Sequence, residues 1–528
     1  MSSRLVVVSN RLPVVFEQED GRWVSRPGSG GLITALTPVL RRRGGLWVGW
    51  TGACCEEQSR ALGNLLAEAG ARAGFDFAPV TMTAEERDGF YHGFSNEIVW
   101  PLFHDLDMRC NFEPEYWDAY RRVNRRFAHV IKEHLRDDDF IWIHDYHLMH
   151  VARELRELGV RQKIGFFLHI PFPPPEIFLK LPWRFDVLEA LLDFDGLGFQ
   201  TQGYRRNFAQ CVNSVMPGIS IRGRGRVITT RTPQRRVQIG VFPISIDFDE
   251  FAQRAAEAEI VTRMGEIQEQ FPNRKLILGV DRLDYTKGIP ERLRAFGRAL
   301  ERFPELRERV TLMQVVVPSR TAIGEYQELK AEIEMLVSDV NGRFTVPGWV
   351  PIHYLFRSFD RDELIAMYRA ADVMAVTSLR DGMNLVAKEY CACRVLNDGV
   401  LILSEFAGTA ATMHRGAILV NPHDREGMAQ AIYNALMMSE PEQKMRMRGL
   451  RRGIRTHDVY WWLETFLRAS HEADPDLPAP PAESDLLAIL PPGAARRAAD
   501  AAEALAAADA LVAESLASET ITPPPPVP

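Results

Sequence analysis

Arg380-Asp381-Gly382-Met383-Asn384-Leu385-Val386-Ala387-Lys388-Glu389-Tyr390 follows an apolar run, Ala371 to Thr377, that reads as a buried strand, and it has the pattern of a helix start. The first amides of a helix are unpaired and sit at the positive end of its dipole, so a diphosphate fits on the N–H groups around Asn384 and Leu385. Gly382 lets the backbone approach a ligand closely. Asp381 is placed to accept hydrogen bonds from sugar hydroxyls, and Glu389, about one turn into the helix, can take a ribose diol as an acceptor-only group. Alone, the segment fits an N-cap aspartate and a solvated glutamate equally well. Its weight comes from the remainder of the chain.

A length of 528 residues with 46% hydrophobic and 25% charged composition suits two or three soluble globular domains. The formal charge of −7 argues against nucleic acid as a partner, although phosphate ligands need only local positive charge. No apolar run approaches the ~18 residues that span a bilayer, and Leu5 to Val8 reads as a first strand rather than a signal-peptide core. The expected location is the cytoplasm, with no membrane partner. Six cysteines make no disulfide framework, and Cys54-Cys55 and Cys391-Ala-Cys393 lack a second pair at zinc spacing. His144-Asp145-Tyr146-His147 contains an HxxH without an evident third ligand. Asp-x-Asp at Asp105/Asp107, Asp247/Asp249 and Asp360/Asp362 is unsurprising among 70 acidic residues. Neither a metal nor a cofactor is expected.

Short Val/Ile/Leu runs alternate with longer helical patterns, the signature of βα units around parallel sheets. The expected strands are Leu5 to Val8, Phe140 to Ile143, Ile164 to Leu168, Leu276 to Val280, Thr311 to Val317, Val373 to Thr377 and Leu401 to Leu403. Polar residues follow them: Arg11, then His144 and Asp145, His169, Arg282 with Lys287, and Arg320. The carboxyl ends of parallel strands form the ligand crevice of open α/β sheets. The Arg-rich stretch Arg222 to Arg236 reads as a solvated hairpin, and Glu17 to Gly21 with Pro27 to Gly31 reads as a loop that settles over a ligand. A domain boundary is expected near Pro243 to Asp249, giving 1–243 and 244–470. Residues 471–528 are Ala- and Pro-rich and read as a largely disordered tether.

The motifs in order are Ser9-Asn10-Arg11, Gly30-Gly31-Leu32, Phe94-Ser95-Asn96 with Trp100-Pro101, Trp142 to His147, Phe167 to Pro173, Asp281 to Gly288, Pro318-Ser319-Arg320 and Arg380 to Tyr390. With these the chain resembles the trehalose-6-phosphate synthases, retaining enzymes of glycosyltransferase family 20. The resemblance implies a GT-B architecture, two Rossmann-like domains facing a deep cleft. It puts Gly30, Gly31, Arg282 and Lys287 on the diphosphate of a nucleoside-diphosphate glucose, with Leu385, Val386, Ala387, Lys388 and Glu389 on diphosphate and ribose. Gly382, Met383 and Asn384 belong to the same donor loop, and Phe359 borders the base. Asp381 and His169 would hold the transferred glucose. Arg11 and Arg320 would meet the phosphate of glucose 6-phosphate, with Tyr91, Trp100 and Asp145 nearer its sugar, and Trp100 and Ile170 would select the anomer.

The implied chemistry is glucosyl transfer with retention by a same-face route, in which Asp145 orients the acceptor, His169, Asp381, Arg282 and Lys287 act on the donor, and trehalose 6-phosphate is the product. UDP-glucose is the expected donor, the base being left open among uracil, adenine and guanine. Ser245 and Ser378 depart from the usual glycine and proline of relatives. The tail is too short for a phosphatase domain, so a separate phosphatase is expected downstream, and a homo-oligomer is compatible with the sequence. Two other readings remain at this point. One is a related synthase with another acceptor, of the glucosylglycerol-phosphate or pseudo-sugar kind; the other is a catalytically idle sugar-phosphate sensor.

Overall fold

The computed structural model describes residues 3–19, 22–28, 30–52, 62–319 and 324–471. The first sheet collects β1 (Leu5–Arg11), β4 (Leu46–Trp50), β5 (Asp76–Val80), β6 (Phe140–His144), β7 (Lys163–Leu168), β8 (Gly196–Phe199), β9 (Val227–Arg231) and β10 (Arg236–Val241). Their order is β5-β4-β1-β6-β7-β8-β10-β9. All neighbours are parallel except β9 and β10, which form the antiparallel hairpin expected of the Arg-rich stretch. Separately, β2 (Val14–Glu19) pairs antiparallel with β3 (Arg22–Pro27). The segment expected as a loop is therefore largely a hairpin. Its β-branched and aromatic content explains this, because Phe16 and Trp23 pack against the core while Val15 faces outward.

The second sheet has six parallel strands in the order β13-β12-β11-β14-β15-β16. These are β11 (Lys275–Arg282), β12 (Val310–Val317), β13 (Ile352–Phe356), β14 (Val373–Val376), β15 (Val400–Ser404) and β16 (Ile418–Val420). Numbered within its own sheet this is the 3-2-1-4-5-6 order of a Rossmann domain, and the first sheet has the same core from β5 to β8. Strand runs such as Val310–Val317 are buried on both faces because helices cover both sides of a parallel sheet. In each sheet the strand order reverses beside the first strand, and the ligand crevice of such folds opens there. Those two points lie between β1 and β6, and between β11 and β14.

The last described helix, Val459–His471, returns to the first sheet. Trp462 and Phe466 lie 4.7 and 4.9 Å from the Trp142 ring. The helix sits close enough that a Cβ on Gly165 would come within 2.6 Å of Phe466. Between the sheets runs the connector at Phe242–Ile246. The Ile244 N–H donates to Gln200 Oε1 at 2.9 Å, and its carbonyl accepts from Lys388 Nζ at 2.7 Å. Among the described residues no helix is long and apolar enough to cross a membrane.

Candidate active site

β14 delivers the chain into the loop 377–385, and the helix Val386–Cys393 begins from Leu385 with no side-chain cap on that residue. Asn384 takes φ 72° immediately before it. Its side chain accepts the Ala387 N–H at 3.3 Å and donates to Asp381 at 3.2 Å. Across the cleft a second helix, Gly31–Arg43, starts from Gly30, also without a side-chain cap. The two starts meet: a Cβ on Gly31 would lie 3.1 Å from Leu385 Cδ1 and 3.5 Å from Met383 Cε. Two positive helix ends, one from each domain, thus converge on one place.

The cations come from β11 and the turn behind it. Arg282 is exposed at the strand end. Lys287 Nζ donates to Asp381 Oδ2 at 2.7 Å, and Asp381 also accepts from Ser378 Oγ and the Met383 N–H. Burial opposes ionisation of Asp381, but Lys287 and the Met383 N–H hold its carboxyl below the usual carboxylate range. Ser378 thus contributes a hydrogen bond that proline could not make. Ser245 does not: its hydroxyl is fully buried with no hydrogen-bond partner.

Glu389 accepts from the Tyr368 hydroxyl at 2.9 Å, and burial pushes its pKa up. Phe359 carries the Arg357 guanidinium 4.1 Å over its ring. Of the donor residues expected from sequence, Lys388 stands apart, because its side chain turns away from the helix start and onto the Ile244 carbonyl in the connector. Val386 and Ala387 bring their backbone to the helix start, Ala387 being packed in the core.

On the first domain, Arg11 at the end of β1 stacks 4.1 Å over the Trp50 ring, and Tyr91 lies 6.3 Å from the same ring. Asp145 follows β6 with φ 75° and accepts the His169 N–H at 3.2 Å. Burial pushes its pKa up to about 7, against the pull of the Tyr146 and His169 N–H groups and of Arg282. His169 lies 3.1 Å from His144, Nε2 to Nδ1. Burial drives His169 down to about 3, so the ring is neutral, and its Nδ1 has no hydrogen-bond partner. That leaves one polar atom of a buried ring for a ligand. Ile170 and His169 meet the other domain directly: a Cβ on Gly382 would overlap the His169 carbonyl oxygen and come within 2.6 Å of Ile170 Cα.

The structure therefore brings together Arg11, Tyr91, Trp100 and Asp145 on one wall, and Arg282, Lys287, Asp381, residues 382–387 and Glu389 on the other, with the Lys388 side chain turned away. Arg320 lies outside the described residues. Two residues escaped sequence reading. Trp50 ends β4 beneath Arg11, and a tryptophan at a strand's carboxyl end was the available signal. His104, 3% exposed, packs its ring 4.2 Å from Trp100, and burial drives its pKa down to about 4. No motif marked it.

Two Rossmann-like domains with their switch points on a common cleft, and cations beside a helix start, define a glycosyltransferase of the GT-B class. The sequence profile of glycosyltransferase family 20 matches residues 3–472. The trehalose-6-phosphate synthase of Mycobacterium avium is 44% identical over 480 residues, covering 90% of this chain and 96% of that protein. An alpha,alpha-trehalose-phosphate synthase (UDP-forming) from Burkholderia xenovorans, solved with glucose-6-phosphate, superposes with a TM-score of 0.80 at 36% identity, over 88% of this chain and 99% of that one. An E. coli protein bound with UDP-2-fluoro glucose gives a TM-score of 0.78 at 37% identity, over 89% and 99%. The chain belongs to glycosyltransferase family 20.

Proposed function

We propose that the protein transfers glucose with retention from a nucleoside-diphosphate glucose, UDP-glucose first among them, to glucose 6-phosphate, releasing nucleoside diphosphate and α,α-trehalose 6-phosphate. The observation that carries this reading is the convergence of two helix starts, at Gly31 and Leu385, beside Arg282 and Lys287. Fixed positive charge there is worth most when the C1–O bond breaks and its electron pair passes to the diphosphate. Cations and amides do this work, with no metal in the scheme.

On the other side of C1, the acceptor's anomeric hydroxyl attacks from the face the diphosphate leaves, and its proton goes to the departing phosphate oxygen. Asp145 orients that hydroxyl. Arg11, with its guanidinium spread over Trp50, supplies charge for the acceptor phosphate, and Arg320 is assigned the same role from the second domain. His169 through Nδ1 and Asp381 hold hydroxyls of the transferred glucose, while Glu389 takes the ribose and Phe359 borders the base.

In this reading 1–243 is the acceptor domain and 244–470 the donor domain, the enzyme works in the cytoplasm, and another protein removes the product's phosphate. The test is a product assay on purified protein with glucose 6-phosphate and each nucleoside-diphosphate glucose in turn. Trehalose 6-phosphate from UDP-glucose is the expected result. Its absence with every donor sinks the proposal.

A further inference from the structure

Residues Asp88–Val99 form a π-helix that leads directly into the short α-helix Trp100–Phe103. π geometry is rare and mostly limited to a single wide turn, so 12 residues of it call for a specific restraint. The geometry also has an angular consequence. Tyr91 and Trp100 are nine positions apart. At the ~100° per residue of an α-helix, that separation leaves two side chains on opposite faces. At about 4.4 residues per turn, the same separation is close to two full turns, and the side chains share a face.

The packing agrees with the shared face. Tyr91 stacks 5.9 Å from the His147 ring, and Trp100 lies 5.8 Å from the ring of Tyr146, the residue next to it. Both aromatics therefore sit on the turn that follows Asp145. An α-helix over the same residues would send one of them to this wall and the other away from it.

Asn96 supplies the restraint. Its Nδ2 donates to the Tyr91 carbonyl at 2.6 Å, five residues back, and its Oδ1 accepts from the Tyr146 hydroxyl at 3.2 Å. A carbonyl can only accept, which fixes the orientation of the amide. The side chain is buried at 7% exposure, so both bonds are shielded from water. At the helix end the Trp100 N–H reaches the Ser95 carbonyl, again five residues back. In an α register the Tyr91 carbonyl would pair with residue 95 instead, and the Asn96 clamp would be lost.

We propose that Asn96 is a positioning residue for the acceptor: by clamping the Tyr91 carbonyl to the Tyr146 hydroxyl it holds residues 88–99 in π register, and that register puts Tyr91 and Trp100 together on the wall that meets the acceptor sugar. The inference rests on the acceptor assignment made above and adds to it the residue that sets the geometry. Asn96 touches neither substrate in this scheme. Its effect belongs to the acceptor half of the reaction, since the donor contacts assigned above, Gly30, Gly31 and His169 on the first domain and the remainder on the second, all lie outside the segment 88–103.

The experiment compares Asn96→Leu, Tyr146→Phe and the double variant with wild type, measuring the KM of each substrate and, by calorimetry, the affinity for UDP. Loss of the clamp should raise the KM for glucose 6-phosphate by about tenfold or more while UDP affinity stays within about twofold, the scale of one or two buried hydrogen bonds. Tyr146→Phe should give a smaller rise of the same kind. The double variant should be no worse than Asn96→Leu, because its second change removes a partner already lost, a non-additivity that general unfolding does not produce. If Asn96→Leu does not fold, Asn96→Asp takes its place as a single variant: it loses the donor to Tyr91 while keeping the acceptor for Tyr146, and it should raise the KM for glucose 6-phosphate while leaving UDP affinity within about twofold. Acceptor and UDP affinity falling in parallel, or an unchanged acceptor KM in every variant, overturns the inference. Wild-type protein that binds UDP yet makes no product from glucose 6-phosphate overturns the functional reading and this inference with it, and is distinguished by being seen before any substitution.

Discussion

Lys287 Nζ lies 2.7 Å from Asp381 Oδ2, so the cation assigned to the donor diphosphate and the carboxylate assigned to the donor glucose are partners of each other. A donor that reaches both must compete with this bond. Each group is thereby held within the site, and each also stabilises the fold.

That double role separates two cations with the same assignment. Lys287→Ala leaves the Asp381 carboxylate buried without its ammonium, a change that costs about 3–5 kcal/mol in comparable buried pairs. Arg282 is exposed at its strand end, and Arg282→Ala removes ligand contact worth about 1.5–3 kcal/mol without leaving a buried carboxylate stripped of a hydrogen-bonded partner. Both variants should lose kcat/KM by roughly ten- to a hundredfold or more. Only Lys287→Ala should also lower the melting temperature markedly. Equal melting temperatures for the two variants would contradict the structural role of the pair.

At Gly382 the backbones of the two domains approach closely. A Cβ there would overlap the His169 carbonyl oxygen, a backbone atom with no rotamer to escape into. Gly382→Ala should hold the domains apart and displace Asp381 from the His169 side by enough to lower kcat/KM about a hundredfold. Small-angle scattering with UDP and glucose 6-phosphate should show a larger radius for the variant than for wild type. A variant with wild-type radius and turnover would mean that this approach is dispensable.

The strands read correctly from sequence were those rich in Val, Ile and Leu and buried on both faces, such as β1, β11, β12 and β15. β8, Gly196-Leu-Gly-Phe199, was missed because its glycines answer to something remote. Phe466 and Ser470 on the returning helix press against Gly196 and Gly198, leaving no room for a Cβ. Local pattern carries no trace of that contact. That Arg11, Asp145, Arg282 and Lys287 gather at the cleft was legible because each follows an apolar run that reads as a parallel strand. The π-helix was not, since Phe90, Phe94 and Ile98 recur at every fourth position, a spacing that reads as an ordinary α-helix. The direction of Lys388 was equally hidden: the motif gives its position on the helix, whereas the carbonyl it reaches belongs to a connector far away in the chain.

Lys388 gives the next prediction. Burial drives its pKa down to about 7 from the ordinary lysine value, while its ammonium holds the Ile244 carbonyl. Between pH 7 and the unfolded lysine range the unfolded chain binds a proton that the folded one gives up, so stability from this group rises with pH. Each unit of that window is worth at most ~1.4 kcal/mol. Lys388→Met, which cannot titrate, should flatten the rise in melting temperature between pH 7 and 9. Parallel profiles for variant and wild type would mean that Lys388 does not carry this shift.

Asp145 has the opposite sign, and the two can be told apart by window. Its pKa is pushed up to about 7 by burial, from an unfolded value near 4, so across that interval the folded chain keeps a proton that the unfolded chain has lost. Stability from Asp145 therefore falls as pH rises from about 4 to 7 and then levels, the full penalty standing at pH 8. Asp145→Asn keeps an oxygen for the His169 N–H, which the carboxylate now accepts at 3.2 Å, and removes the charge. The variant should match wild type in melting temperature near pH 4 and exceed it at pH 8, by a margin on the order of 1–3 kcal/mol once partial solvation is allowed for. Its KM for glucose 6-phosphate should rise, because an amide accepts the acceptor hydroxyl less strongly than a carboxylate. Arg282→Ala should move the wild-type inflection to higher pH, since the arginine is one of the groups that favour the ionised carboxyl. A stability difference between Asp145→Asn and wild type that does not change between pH 4 and pH 8 would show that Asp145 ionises normally in the fold.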